Sequence, residues 1–217
     1  MSRTPSSTKG PEAHTAIIGD VVAMWEKLAW DVDQYQDIQR SHPREKQPLA
    51  FAAINVCIAA WSLGQWVKCA WKQERRLAGE KANDKLFYDL IQRLVPAQAI
   101  CASVANTAKH AAHQDQEGWE GGEVRLDWED GDENIPPTFV LRHVDSNQMK
   151  MEAAYSTFEA VRNDWWTCLV TLGFASGTQR SPEFMQNKLR RIFGGTIHPL
   201  PPGASAAEKP ISDVEVG

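Results

Sequence analysis

Within the stretch Pro48 to Leu77 lies the run AFAAINVCIAAWSLGQWV, apolar on nearly every side of a helix. A helix with no solvent-facing side needs other elements around it, so this chain is constrained to build a bundle with that helix at its centre. Its few polar residues are therefore informative. Asn55, Ser62 and Gln65 share one face at spacings of seven and three. Buried polar groups need partners, at roughly 1 to 3 kcal/mol for each one left without, and the simplest partner is the polar stripe of another helix.

The rest of the chain supplies the surrounding elements. A helix is predicted from about Thr15 to Arg40, with Ile17, Val21, Met24, Leu28, Val32 and Tyr35 on its inner face. His42-Pro43 ends it, because proline disfavours helical geometry in the residue before it. A shorter helix spans about Asp84 to Val95, and Pro96 opens another that runs to His113. EVRLDW and TFVLRHV then alternate like the two strands of a hairpin at about residues 123–144, with Asp130-Gly131 and Pro136-Pro137 in its loop. A long helix from about Glu152 to Leu172 closes the core through Ala154, Phe158, Val161, Trp165, Cys168, Leu169 and Leu172. The expected architecture is mainly α: a helical bundle with an inserted β-hairpin and a closing C-terminal helix. Residues 1–13 are read as a disordered start, 14–173 as the helical domain, and 174–217 as a tail with a short amphipathic helix at about 182–193.

Composition narrows the classes of function. A chain of 217 residues with 42% hydrophobic residues and nine tryptophans has enough apolar surface for one well-buried domain. The four cysteines, Cys57, Cys69, Cys101 and Cys168, show no CxxC spacing, so reduced thiols in a cytoplasmic protein are expected, with neither a disulfide framework nor a zinc site. No apolar run reads as a signal peptide or a membrane helix, so no membrane association is expected. The net charge of -5 is uneven: residues 40–109 carry eleven Lys and Arg against five acids, and residues 115–134 carry nine acids and one Arg. A mildly acidic whole has no strong sequence-independent pull on nucleic acid. No phosphate-binding loop, dinucleotide fingerprint or nucleophile elbow is present, and no cofactor is expected.

The chemistry concentrates in PAQAICASVANTAKHAAH, residues 96–113. Helical spacing puts Ile100, Cys101, Val104, Ala105, Ala108, Ala111 and Ala112 on one side and Ser103, Asn106, Lys109, His110 and His113 on the other. On that stripe His110 could act as general acid or base, Lys109 could stabilise a phosphorane, and Asn106 could position a phosphate or the His ring. The plainer reading is a polar face on which Asn106 and His110 bridge to Asn55 and Gln65. His110 and His113 with Asp115 could share a metal, but two histidines near an acid are common by chance and no metal site is assigned. Arg190 and Arg191, in the late amphipathic helix, could touch phosphates; a solvated basic face is the simpler account.

The Ala-Asn-x-x-Lys-His core at 105–110 and the paired tryptophans of WSLGQW resemble a group of uncharacterised bacterial helical proteins related to the HEPN superfamily, over roughly residues 15–172. The resemblance implies a dimer and a metal-independent ribonuclease of toxin or antiviral type, with Arg-x4-6-His on a helix at the dimer cleft. This chain departs from that pattern. The Arg positions for His110 hold Ser103, Val104 and Ala105, and those for His113 hold Asn106, Thr107 and Ala108. Positions where the group carries charge are Ala102, Ser62 and Gln65 here. Arg191 and His198 have the right spacing, but Gly194-Gly195 interrupts the helix between them. The expectation is a degenerate, non-catalytic HEPN-like module that binds RNA or a protein partner in bacterial stress or phage defence, and forms a homodimer. The alternatives are an active metal-independent endoribonuclease using Asn106, Lys109 and His110, and a purely structural dimerising subunit.

Overall fold

The structure is a computed structural model and describes residues 11–110, 124–145, 148–179 and 181–193. It divides into a body, Met1–Arg180, and a second unit, Ser181–Gly217. The body is mainly helical, with one small antiparallel sheet.

A four-residue helix, α1 (Glu12–Thr15), precedes α2 (Val21–Ser41). The expected single helix from Thr15 is interrupted because Asp20, in extended geometry, accepts a hydrogen bond from the Ala23 amide at 2.8 Å and so begins α2 itself. Ile17 falls outside the helix and is 84% exposed, a correction to its place on the inner face. The rest of that face is buried as expected: Val21, Met24, Leu28, Val32 and Tyr35.

Helix α3 (Lys46–Leu77) has 32 residues and so runs about 48 Å. Pro48 lies in its first turn, where a missing N–H does little harm. Its length and composition would also suit a membrane span, but half of its most apolar stretch is buried inside the protein, as in a core helix. Much of its buried surface is small (Ala52, Ala53, Ala59, Ala60 and Gly64), so α2 and α5 can lie close against it. Helix α4 (Asp84–Leu94) is capped by Asn83, which accepts from the Leu86 amide at 2.9 Å. Phe87 and Ile91 anchor it, and Asp84 pairs with Lys72 and Lys68 of α3.

Helix α5 (Gln98–His110) begins after a Pro96-Ala97 turn. Its first turns are buried on all sides: Ile100, Cys101, Ala102, Ser103 and Ala105. Ser103, expected on the polar stripe, is 2% exposed, and Ala108, expected on the apolar face, is exposed. The helix thus enters the core obliquely and emerges at its C-terminal end, so burial changes along its axis as well as around it.

Strands β1 (Arg125–Glu129) and β2 (Thr138–Asp145) form the expected hairpin, Leu126 opposite Leu141 and Trp128 opposite Phe139. Gly131 holds the loop at φ +71, and a Cβ there would lie 2.1 Å from the Ile135 carbonyl oxygen. The hairpin is clamped to α2 through Gln39, which donates to the Pro137 carbonyl at 2.8 Å and accepts from the Thr138 hydroxyl at 3.2 Å. A third strand, β3 (Gln148–Ala153), extends the sheet in the order β1-β2-β3. The closing helix, α6 (Ala154–Thr171), therefore starts two residues later than its pattern suggested: Glu152 and Ala153 belong to β3. Trp25 packs at a tilt against Trp166, ring centroids 4.7 Å apart, and donates to the Arg162 carbonyl, while Tyr35 meets Phe158 edge-on at 5.1 Å; these contacts join α2 to α6. Residues 174–177 turn back onto α6, where Gly177 accepts from the Trp166 indole.

Three helices meet at Gln98. Its Nε2 donates to the Ala60 carbonyl of α3 at 3.1 Å, and its Oε1 accepts from the buried Trp165 indole of α6 at 2.8 Å. Gly64 leaves room for this amide: a Cβ there would lie 2.9 Å from Gln98 Nε2. Beside it the buried thiols of Cys57 and Cys101 face each other, and their mutual hydrogen bond, then burial, push the Cys57 pKa up. Cys168 is buried and raised to about 12 by desolvation, whereas Cys69 is exposed.

In the second unit, α7 (Glu183–Phe193) starts on the Pro182 carbonyl, which accepts from the Met185 and Gln186 amides. Arg190 donates to Asn187 one turn earlier.

Gln98→Leu keeps the volume of the junction but leaves the Trp165 indole N–H without a partner. It should lower unfolding stability by about 1 to 3 kcal/mol, read as a shift of the urea midpoint at constant slope; an unchanged midpoint would show that the junction carries no weight.

Candidate functional site

The three residues of the α5 stripe stand together at the exposed end of that helix. Asn106 is half-buried, and Lys109 and His110 are exposed. The Lys109 ammonium lies 3.2 Å from the centroid of the Trp61 ring, a cation held on an indole face. Partial burial there lowers its pKa. Both basic residues lie in the last described turn of α5. Among the described residues, His110 has no hydrogen-bond partner, and none of the described groups forms a proton-transfer pair with it. His113 lies outside the described residues, as does Asp115.

Lys109 of this stripe meets α3 at Trp61, next to Ser62. Among the described residues no hydrogen bond links Asn55, Ser62 or Gln65 to α5; Ser62 and Gln65 are half-buried and Asn55 is exposed. Asn55 instead opens onto the opposite side of α3, into a groove shared with α2. Arg190 and Arg191 lie on α7 in the second unit. Among the described residues no group of three His, Cys, Asp or Glu side chains is placed to hold a metal ion.

The α2–α3 groove is the stronger candidate. It is an open groove of about 280 Å³, lined by Trp30, Asp31, Gln34 and Ile38 of α2 and by Pro48, Phe51, Ala52 and Asn55 of α3. Its position follows from helical spacing. Trp30 falls off the inner row of Leu28, Val32 and Tyr35, and Phe51 lies on the side of α3 that α5 does not cover. Both rings are therefore exposed, at 43% and 58%. Between them Asp31 is only 8% exposed, paired with Lys27 one turn earlier. Desolvation outweighs that pairing and raises the Asp31 pKa above the usual carboxylate value. Two aromatic rings, a buried carboxylate and the amides of Gln34 and Asn55 converge there.

Of these, only Asn55 was singled out from the sequence. The available signal was Trp30, a large aromatic out of step with the buried row of its own helix. Comparison with known proteins returns no match: no protein family, no curated protein and no solved structure is significantly similar to this chain.

Because its pKa is raised on folding, Asp31 holds a proton more readily in the folded state than in the unfolded chain. Its ionised form therefore subtracts from stability at neutral pH, and that penalty fades as pH falls through the raised value. Asp31→Asn should accordingly raise the thermal midpoint at pH 7, with the gain shrinking toward about pH 4; a lower midpoint at pH 7 would mean that the Lys27 pair dominates. His110→Ala, at an exposed position, should leave stability within about 0.5 kcal/mol.

Proposed function

We propose that the chain is a non-catalytic, HEPN-like interaction module whose α2–α3 groove receives a side chain of a protein partner, apolar along its stem and cationic at its tip. The observation that carries this reading is Asp31: a carboxylate kept desolvated beside two exposed aromatic rings. A carboxylate held largely out of water beside apolar rings is the kind of group retained for binding. A Lys or Arg side chain fits, its methylenes against Trp30 and Phe51 and its head toward Asp31, Gln34 and Asn55. A phosphate backbone fits poorly, because Asp31 would repel it. At the α5 stripe, Lys109 is engaged with Trp61 and His110 lacks a proton-transfer partner among the described residues, which disfavours the nuclease alternative. In bacterial stress or phage defence, the setting the resemblance implies, such a module would act by holding a partner rather than by cutting RNA.

The test is selection of peptides from a random 12-residue library on the full chain. Recovered peptides should carry Lys or Arg beside apolar residues. Their affinity, measured by calorimetry, should fall about tenfold or more, about 1.4 kcal/mol, in both Phe51→Ala and Asp31→Asn. Peptides indifferent to both substitutions would sink the groove reading. In parallel, RNA incubated in EDTA should show the same background with wild type and His110→Ala, and cleavage by wild type alone would restore the nuclease.

A further inference from the structure

Asp31 already has a partner. Its Oδ2 accepts from the Lys27 ammonium, one turn earlier on α2. A cation that binds Asp31 must therefore win it from a tethered amine. The Lys27 side chain is 43% exposed, so that amine can leave for water without disturbing the core. In an α-helix the better order sets the acid four residues before the base, and here the lysine comes first. Desolvation outweighs this pairing and keeps the Asp31 pKa raised. The pair is one that a stronger partner can replace.

A lysine of a partner brings nothing that Lys27 lacks. It offers the same compact ammonium on the same flexible stem, against a competitor whose tether acts as a local concentration on the order of millimolar. An arginine differs in kind. Its planar guanidinium gives two parallel N–H donors to the two oxygens of one carboxylate, where Lys27 holds a single oxygen. It also stacks on aromatic faces, and Trp30 and Phe51 line the groove that Asp31 shares. The side-chain carbonyls of Gln34 and Asn55, in the same lining, suit its remaining donors. Resting on the reading of this groove as a binding site, we propose that Lys27 makes it selective for arginine: an Arg side chain of the partner displaces Lys27 from Asp31, and a Lys side chain does not. Lys27 is thus a specificity-determining residue that acts by competition, without touching the ligand.

The probes are the tightest peptide from the 12-residue library and the same peptide with its arginine changed to lysine, each titrated calorimetrically into the full chain. On the wild type the change should cost about tenfold or more in affinity. On Lys27→Met, which keeps the stem and removes the charge, the cost should shrink to about threefold or less, because the lysine peptide no longer meets a competitor. A second readout uses the unaltered chain. With the arginine peptide bound, the Lys27 amine should be acetylated faster by an N-hydroxysuccinimide ester, followed by mass spectrometry, while the exposed Lys85 keeps its rate. Equal affinity for the two peptides, an equal arginine-to-lysine cost in Lys27→Met, or slower labelling of Lys27 would each overturn the selectivity. If binding still fell in Phe51→Ala and Asp31→Asn, the groove itself would stand. Peptides indifferent to those two substitutions would defeat both proposals together.

Discussion

The side-chain amide of Gln98 both donates and accepts at a buried crossing of three helices, and the setting of the bundle depends on it. Glutamate could not donate to the Ala60 carbonyl, leucine could not accept from Trp165, and asparagine is one methylene shorter. The amide has room only because Gly64 has no side chain. A glycine inside a helix costs about 1 kcal/mol relative to alanine, a penalty this close approach offsets. With Gln98 fixed to α3 and α6, the rotation of α5 is fixed as well. That rotation turns Cys101 onto Cys57 and leaves Lys109 on Trp61 at the far end.

Much of the helical frame was legible in the sequence, because apolar residues at helical spacing mark a buried side whatever covers it. The rows in α2 and α6 are of this kind. What failed did so for physical reasons. Ile17 fits the row of α2, yet the Asp20 cap starts the helix beyond it. Strand β3 gives no alternation of buried and exposed positions, since both its faces are exposed, and Glu152-Ala153 read naturally as the start of α6. The polar face of α3 was identified, but not its destination. Periodicity shows which residues share a side, and leaves open which neighbour that side meets. Hence Asn55 was expected against α5 and lies in the α2–α3 groove.

The two candidate sites differ in what they require of the fold. The α5 stripe consists of largely exposed side chains, one of them already engaged with the Trp61 ring. The groove holds a carboxylate largely out of water, where desolvation outweighs its pairing with Lys27 and raises its pKa. That contrast, more than the identity of any residue, is why we propose binding rather than catalysis.

The disposition of the cysteines makes the molecule report on its own breathing. Cys69 is open to solvent, so it reacts with any soluble thiol reagent at once. Cys57 and Cys101 are closed between α3 and α5, and Cys168 lies within α6. Each can be labelled only when its surroundings part, so the later reactions time two separate openings against the immediate one at Cys69. Matched rates for Cys57 and Cys101 would mark the α3–α5 seam as a single cooperative unit. A different rate for Cys168 would locate a boundary between that seam and the helix that closes the core.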